Sequence, residues 1–380
     1  MAINSNKVTR FDESIKLKIF LIASFFFVVF TNNYFSYEQS IVFGARDGVD
    51  YFLIAQNFPK IPYDALEYHR AWRFIMPTLI GFTGKILNID IYLLFRIFVL
   101  LFCVLTILIF FEILKFLELN NFQILFLSSF IMFNPYLFRY FIACPTMIND
   151  LIFINATLVL VLGILKNNKI FFYIGILLSL PTRQNSIFLL ISIIIAKFVF
   201  KKNSFFKIKD IILLIILFSF FFLLNNIFAN FYSNYNNSYS LFIRFGLFQH
   251  NYTFSDFLQY HFIPLIILLP LFGYLIIEKK NFDFNKLNSE LLTLISLFAF
   301  FLLSVAYVGG PITTGKNLIR LINLAYPLII LIGAASIDLK KHSLSGMRFY
   351  LFSLLFIIWS FHPTYSKIKI LNFINFVGFF

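Results

Sequence analysis

The chain predicts an all-α, polytopic membrane protein, and three observations carry that prediction. Of its 380 residues, 60% are apolar and only 13% charged, and the mean hydropathy is +0.87. A soluble domain of this length has no interior large enough to hide that much apolar surface. The apolar residues are gathered into runs of about 20, the length a helix needs to cross the hydrocarbon layer. The basic residues fall between those runs, with lysine and arginine distributed differently.

Spans are expected near 17–35, 91–114, 122–138, 148–165, 211–232, 260–277, 289–308, 318–337 and 349–362. The stretch 170–200 differs. Phe171 to Leu180 is apolar but short, Pro181-Thr182-Arg183-Gln184-Asn185 interrupts it, and Ile187 to Phe200 is apolar again. Lysines flank both outer ends (Lys166 and Lys169; Lys201 and Lys202), so this segment goes in and returns as two short helices meeting at a polar break. With them the count is roughly eleven helical passes in a single integral membrane domain, 1–380. Leu17 to Phe35 is long enough to span and no small-residue cleavage site follows it, so it reads as a helix and not as a cleavable signal.

Orientation follows from lysine. Lys7, Lys16 and Lys18 precede the first span, and Lys115, Lys279, Lys280, Lys286, Lys340 and Lys341 fall on the same side by alternation. That side is expected to be cytoplasmic. The outside then holds two long segments, 36–90 and 233–259. Eight arginines (Arg46, Arg70, Arg73, Arg96, Arg139, Arg183, Arg244 and Arg320) sit on or near the outside, against the lysine pattern, and phosphate recognition is the leading reason for them. The net charge of +14 is dispersed between spans and suits anionic lipid headgroups; nucleic acid is not expected as a partner. The 58 phenylalanines read as compositional bias, and Cys103 and Cys144 show neither metal-ligand spacing nor a disulfide framework.

The first outer loop is the densest polar region. Asp47 to Phe58 suits a short helix stopped before Pro59, on which Asp47, Asp50, Tyr51 and Ile54 share one face. Asp64-Ala65-Leu66-Glu67 reads as a capping box opening a second helix, with Arg70, Arg73 and Pro77 along one stripe. A carboxylate pair beside an arginine pair at a membrane surface suggests a reaction on a lipid-linked phosphate. Glu67 is expected to form a helix-surface ion pair with Arg70, and His69 to be a surface residue. His250 and His261 are too isolated to suggest a metal site, and Arg96 and Arg244 read as snorkelling or ion-paired.

The sequence resembles the GT-C glycosyltransferases, polytopic enzymes that take sugars from polyprenyl-phosphate donors. Asp47-Gly48-Val49-Asp50-Tyr51 is similar to their first-loop signature, and Arg73-Phe74-Ile75-Met76-Pro77-Thr78-Leu79 to the Arg-x-x-x-Pro-x-Leu stretch of bacterial members. Asn134-Pro135, Asp150, Thr182-Arg183-Gln184-Asn185, Arg320 and Tyr326-Pro327 follow in a similar order to weaker family features. Gly48 stands where many relatives have Glu, and Gln184 where Arg-Glu is expected, which leaves the acceptor and any divalent metal open.

The resemblance implies Asp47 as catalytic base, with Asp50 a second candidate or an orienting group, and Tyr51 in support. It implies donor-phosphate contacts from Arg70, Arg73, Arg183, Lys316 and Arg320. Lys316, Arg320, Asn323 and Pro327 share one stripe entering a span. Arg183 serves either the phosphate or the broken helix ends, and Arg139 is expected to pair with Asp150. The implied activity is inverting sugar transfer from a polyprenyl-phosphate donor to a glycan or lipid-linked acceptor, without an organic cofactor, at the periplasmic face of a bacterial inner membrane. The alternatives are a transporter or flippase of lipid-linked sugars, and a polysaccharide polymerase or ligase. The first predicts the break at 181–185 as substrate site and no need for Asp47.

Overall fold

The computed structural model describes residues 5–42, 46–61, 65–200, 205–233, 289–308 and 318–336, with 354, 358–361 and 364–367. The regular elements among these residues are all helices. Among them, Ile91–Phe116, Pro145–Leu165 and Ile208–Tyr232 are long and apolar enough to cross a membrane. The expected span 260–277 with His261, the expected outer segment from 234 to 259 with Arg244 and His250, and most of 349–362 lie outside the described residues.

Helix α1 (Ser5–Phe30) turns Leu17, Leu21, Phe25 and Val28 inward, at spacings of three and four, onto α6 (Ile91–Phe116) and α7 (Asn121–Met132). Its other face is also apolar, with Ile19, Phe20, Phe26 and Phe30 exposed. Asp90 caps α6 through Leu93 N, and Asn120 forms a reciprocal capping box with Gln123 at the start of α7.

Helix α9 (Ile148–Leu165) runs through the centre and is almost wholly buried. It pairs with α10 (Lys169–Ser179), and Gly175 permits the approach: a Cβ there would lie 2.7 Å from both the Ala156 carbonyl oxygen and Leu160 N. The chain then breaks at 180–185 and resumes as α11 (Ser186–Phe200), so the two short helices around a polar interruption are present as read. Thr182 and Ser186 hydroxyls close the break onto the Ser179 and Arg183 carbonyls, both at 2.8 Å. At the opposite, lysine-bearing end, Lys169 pairs with Asp210 at the start of α12 (Ile208–Tyr232) and stacks 3.7 Å over Phe205. The helix Glu290–Val308 packs on α11, and Leu318–Ser336 packs between it and α9.

The described residues of the segment 36–90 are folded. Helix α3 (Arg46–Gln56) lies on α5 (Ile75–Leu87) at Gly81, where a Cβ would run into the Ala55 carbonyl oxygen. The second loop helix is shorter than the capping box suggests. It is α4 (Tyr68–Ala71), starting after Glu67, whose side chain makes no cap bond. Leu66 instead bridges to Ser233 as an extended pair, and Asp64 lies outside the described residues. Arg70 and Arg73 therefore do not share a continuous helix with Pro77, because the chain turns at 72–74 before α5. That turn is anchored to the C-terminal half of α12: Trp72 packs edge-on to Phe222, Phe74 stacks on Phe228 at 3.7 Å, and Tyr68 donates to Asn226.

Candidate functional site

The turn at 72–74 decides the site, because it points Arg70 and Arg73 at the polar face of α3. Asp47 Oδ1 lies 3.1 Å from Arg70 Nε, and its Oδ2 lies 2.6 Å from Arg320 Nη1 and 3.5 Å from Arg73 Nη1. Arg73 Nη1 also donates to the Tyr51 hydroxyl at 2.7 Å. Asp150, without solvent exposure near the start of α9, accepts from Arg183 Nη1 at 2.6 Å and from Nε and Nη2 of Arg320. Arg320 thus bridges two aspartates 103 positions apart in sequence and belongs to a third element. Such a cluster is tolerated in an apolar bundle only because each charge meets an opposite one with hydrogen bonds to spare.

The arginine donors are not fully used. Arg70 Nε, though 3.1 Å from Asp47, is not aligned to it as a hydrogen bond, and Arg183 Nε has no acceptor among the described residues. Both atoms are buried, so each is a donor whose hydrogen bond is left unmade at a cost.

The two carboxylates of α3 titrate in opposite directions. Burial would raise Asp47, but the Arg320, Arg73 and Arg70 guanidiniums outweigh it and hold the carboxyl well below its usual range. At Asp50 burial wins and pushes the group up to about 6, against a bond from Glu67 N at 3.0 Å and the Arg70 charge. His69, with about a third of its side chain exposed, is pushed down to about 4 by burial of the rest and by Arg73.

These shifts have opposite effects on stability. Folded Asp50 binds its proton more tightly than the unfolded chain does, so it destabilises the fold increasingly as pH rises from about 4 to about 6. Folded His69 binds its proton less tightly, so it destabilises as pH falls from 6.5 towards about 4. In the wild-type protein the two slopes offset each other. Asp50→Asn is expected to leave stability rising with pH across that window, and to gain about 1–3 kcal/mol over wild type at pH 7.5. Unfolding midpoints in detergent between pH 4 and 8 measure this; a variant curve parallel to wild type would refute it.

The structure brings Asp47, Asp50, Tyr51, Arg70, Arg73, Asp150, Arg183 and Arg320 together. Glu67 pairs with Arg70 at 3.2 Å on the exposed rim, as the i, i+3 spacing suggests. Lys316 lies outside the described residues. Arg139 does not pair with Asp150. Its guanidinium, fully buried, donates to Ser360 Oγ, Thr31 Oγ1 and the Val28 carbonyl and stacks on Phe361. It faces the α1 side because α8 (Phe138–Ala143) is a separate short helix, while Asp150 is already taken by two arginines. Arg96, read as snorkelling or ion-paired, lies over Tyr92 and Tyr34 and donates to the Phe35 carbonyl.

Gln184 is the member that sequence reading missed. Its Oε1 accepts from Nε and Nη2 of Arg73 at 3.3 and 3.1 Å, and its Nε2 donates to the His69 carbonyl at 2.9 Å. The available signal was its place beside Arg183 in the only polar break of that apolar stretch. Asn149, which donates to the Arg73 carbonyl, carried no signal of its own. Among the described residues no group of three or more His, Cys, Asp or Glu side chains could hold a metal ion. Compared with known proteins, the chain matches no family model, no curated protein and no solved structure.

Proposed function

We propose that the protein is an inverting glycosyltransferase of the bacterial inner membrane, with roughly eleven helical passes and a periplasmic site. It moves a sugar from a polyprenyl-phosphate donor to a glycan or lipid-linked acceptor. One observation supports this reading: four guanidiniums (Arg70, Arg73, Arg183, Arg320) converge with three buried aspartates (Asp47, Asp50, Asp150), and the fourth acid, Glu67, meets Arg70 only from the exposed rim, so the buried part of the cluster holds one positive charge in excess. A sugar–phosphate–lipid diester carries one negative charge, and arginine's planar fork suits its oxygens.

The acceptor oxygen forms the new bond to the anomeric carbon while the bond to the phosphate oxygen breaks, and the acceptor proton passes to a carboxylate. The leaving lipid phosphate gains a charge as that carboxylate loses one, so the site stays balanced. Asp47 is the base. The arginines suppress its proton affinity, and a donor phosphate that draws those arginines to itself restores it. Asp50, bonded to Arg70 and the Glu67 backbone, orients the arginine.

The test is release of lipid phosphate from a labelled polyprenyl-phosphate sugar by the purified protein, with an envelope extract as acceptor. Donor that binds but is never consumed would instead favour the transporter reading, since Arg183 sits on the helix break. Gln184→Glu keeps the acceptor for Arg73 but cancels the excess charge. It is expected to weaken binding of a lipid phosphate about tenfold, with the loss relieved below pH 5; unchanged binding would refute the charge argument.

A further inference from the structure

Three residues far apart in sequence meet at the N-terminal end of α6. Tyr34 follows α1, Arg96 lies in the second turn of α6, and Lys367 stands in the segment 364–367. That segment is tied back to the end of α1: Asn33 N donates to the Tyr365 carbonyl at 2.8 Å, and Lys367 N to the Thr31 carbonyl at 2.9 Å. Arg96 Cζ then lies 5.7 Å and Lys367 Nζ 5.1 Å from the centroid of the same Tyr34 ring. Backbone pairing thus brings the two charges into one neighbourhood.

Neither cation meets a carboxylate among the described residues. Arg96 donates to the Phe35 carbonyl at 2.6 Å and lies 4.9 Å over Tyr92, and Lys367 Nζ reaches the Phe30 carbonyl at 3.5 Å. The nearest acids along the chain are engaged elsewhere. Asp90 caps α6 through Leu93 N, and Glu38 bonds its own backbone and Ser36. From Leu339 to Phe380 the sequence has no aspartate or glutamate. Carbonyls and rings attract a cation but carry no net charge, so two like charges stand together uncompensated.

The surroundings point to the source of the missing charge. Helix α6 is long and apolar enough to cross a membrane, so its second turn lies near a membrane surface, at headgroup level. Phe30 at the end of α1 and Ile97 beside Arg96 are both exposed, apolar surface suited to acyl chains below a headgroup. A free anion would use the two cations and leave that surface bare, and a zwitterionic headgroup would bring a third cation to the other two. We propose that Tyr34, Arg96 and Lys367 form a binding site for an anionic phospholipid, with its phosphate at the two cations and its chains along Phe30 and Ile97. The site is independent of the donor-phosphate reading, and either can fail without the other.

The test titrates dioleoyl phosphatidylglycerol and dioleoyl phosphatidylcholine, as mole fractions of the detergent micelle, against the full chain and reads the shift in unfolding midpoint. Phosphatidylglycerol is expected to bind about tenfold more tightly than phosphatidylcholine. Lys367→Glu is expected to abolish that preference, because the new carboxylate serves Arg96 in place of the lipid. Lys367 is exposed, so the variant is expected to fold, with a lipid-free midpoint no lower than that of the wild type. Lys209→Glu makes the same charge change at an exposed position in the first turn of α12, at the end where Lys169 meets Asp210. It is expected to keep the preference within about twofold. Equal binding of the two lipids to the wild-type protein would overturn the proposal, and this comparison needs no variant. Equal losses in Lys367→Glu and Lys209→Glu would overturn it too, since the attraction would then be spread over the whole basic chain. Inorganic phosphate that matches the midpoint shift of phosphatidylglycerol would overturn the lipid as occupant and leave a site for a free anion.

Discussion

Asp47→Asn is expected to bind a lipid-phosphate donor at least as tightly as the wild-type protein and to transfer sugar about 10³-fold more slowly. The two effects have one origin. The Asp47 carboxylate occupies guanidiniums of Arg70, Arg73 and Arg320, and a donor phosphate must compete with it for them. The amide removes that competition, so the dissociation constant falls or stays level. The amide also cannot take up the acceptor proton, so turnover collapses. Equilibrium binding and single-turnover transfer on the same preparation separate the two. Retained turnover would remove Asp47 as base and point to Asp50, whose proton affinity lies nearer neutrality. Loss of both binding and turnover would mean that Asp47 is needed to hold the arginines in place.

Arg320→Leu is expected to be the most damaging single change to stability, by about 3–5 kcal/mol. The guanidinium bonds Asp150 through two nitrogens and Asp47 through the third, all at side chains 10% exposed or less. Its removal leaves Asp150 with Arg183 alone, in a helix that has no water to offer. The large cost arises from the stranded carboxylate and not from the worth of the ion pair itself. Asp150→Leu added to Arg320→Leu is therefore expected to recover part of the loss, with a coupling of about 1–3 kcal/mol. Unfolding midpoints of wild type, both single variants and the double variant close the cycle. Strict additivity would show that the two side chains do not share an energetic unit.

Much of the loop was legible in the sequence because it obeys helical periodicity. Asp47, Asp50 and Tyr51 fall on one face of an eleven-residue helix, and that face is the one turned to the arginines. The break at 180–185 was legible because polar residues at membrane depth demand partners. The run after Asp64 was misread: a capping-box pattern is a local preference, and Leu66 bridging to Ser233 with Trp72 and Phe74 on α12 overrode it. Arg139 was assigned to the wrong acid because its distance along the chain from Asp150 says nothing about which way a short helix points.

By itself, then, the sequence determined the helical membrane class, the polar face of α3 and the set of arginines in need of anions, since each follows from composition or from spacing within one element. Only the tertiary structure decided that Arg320 bridges Asp47 and Asp150, that Gln184 holds Arg73, and that Arg139 belongs elsewhere. Those are contacts between elements, and pairing between elements depends on helix packing and on turns that no single stretch of chain encodes.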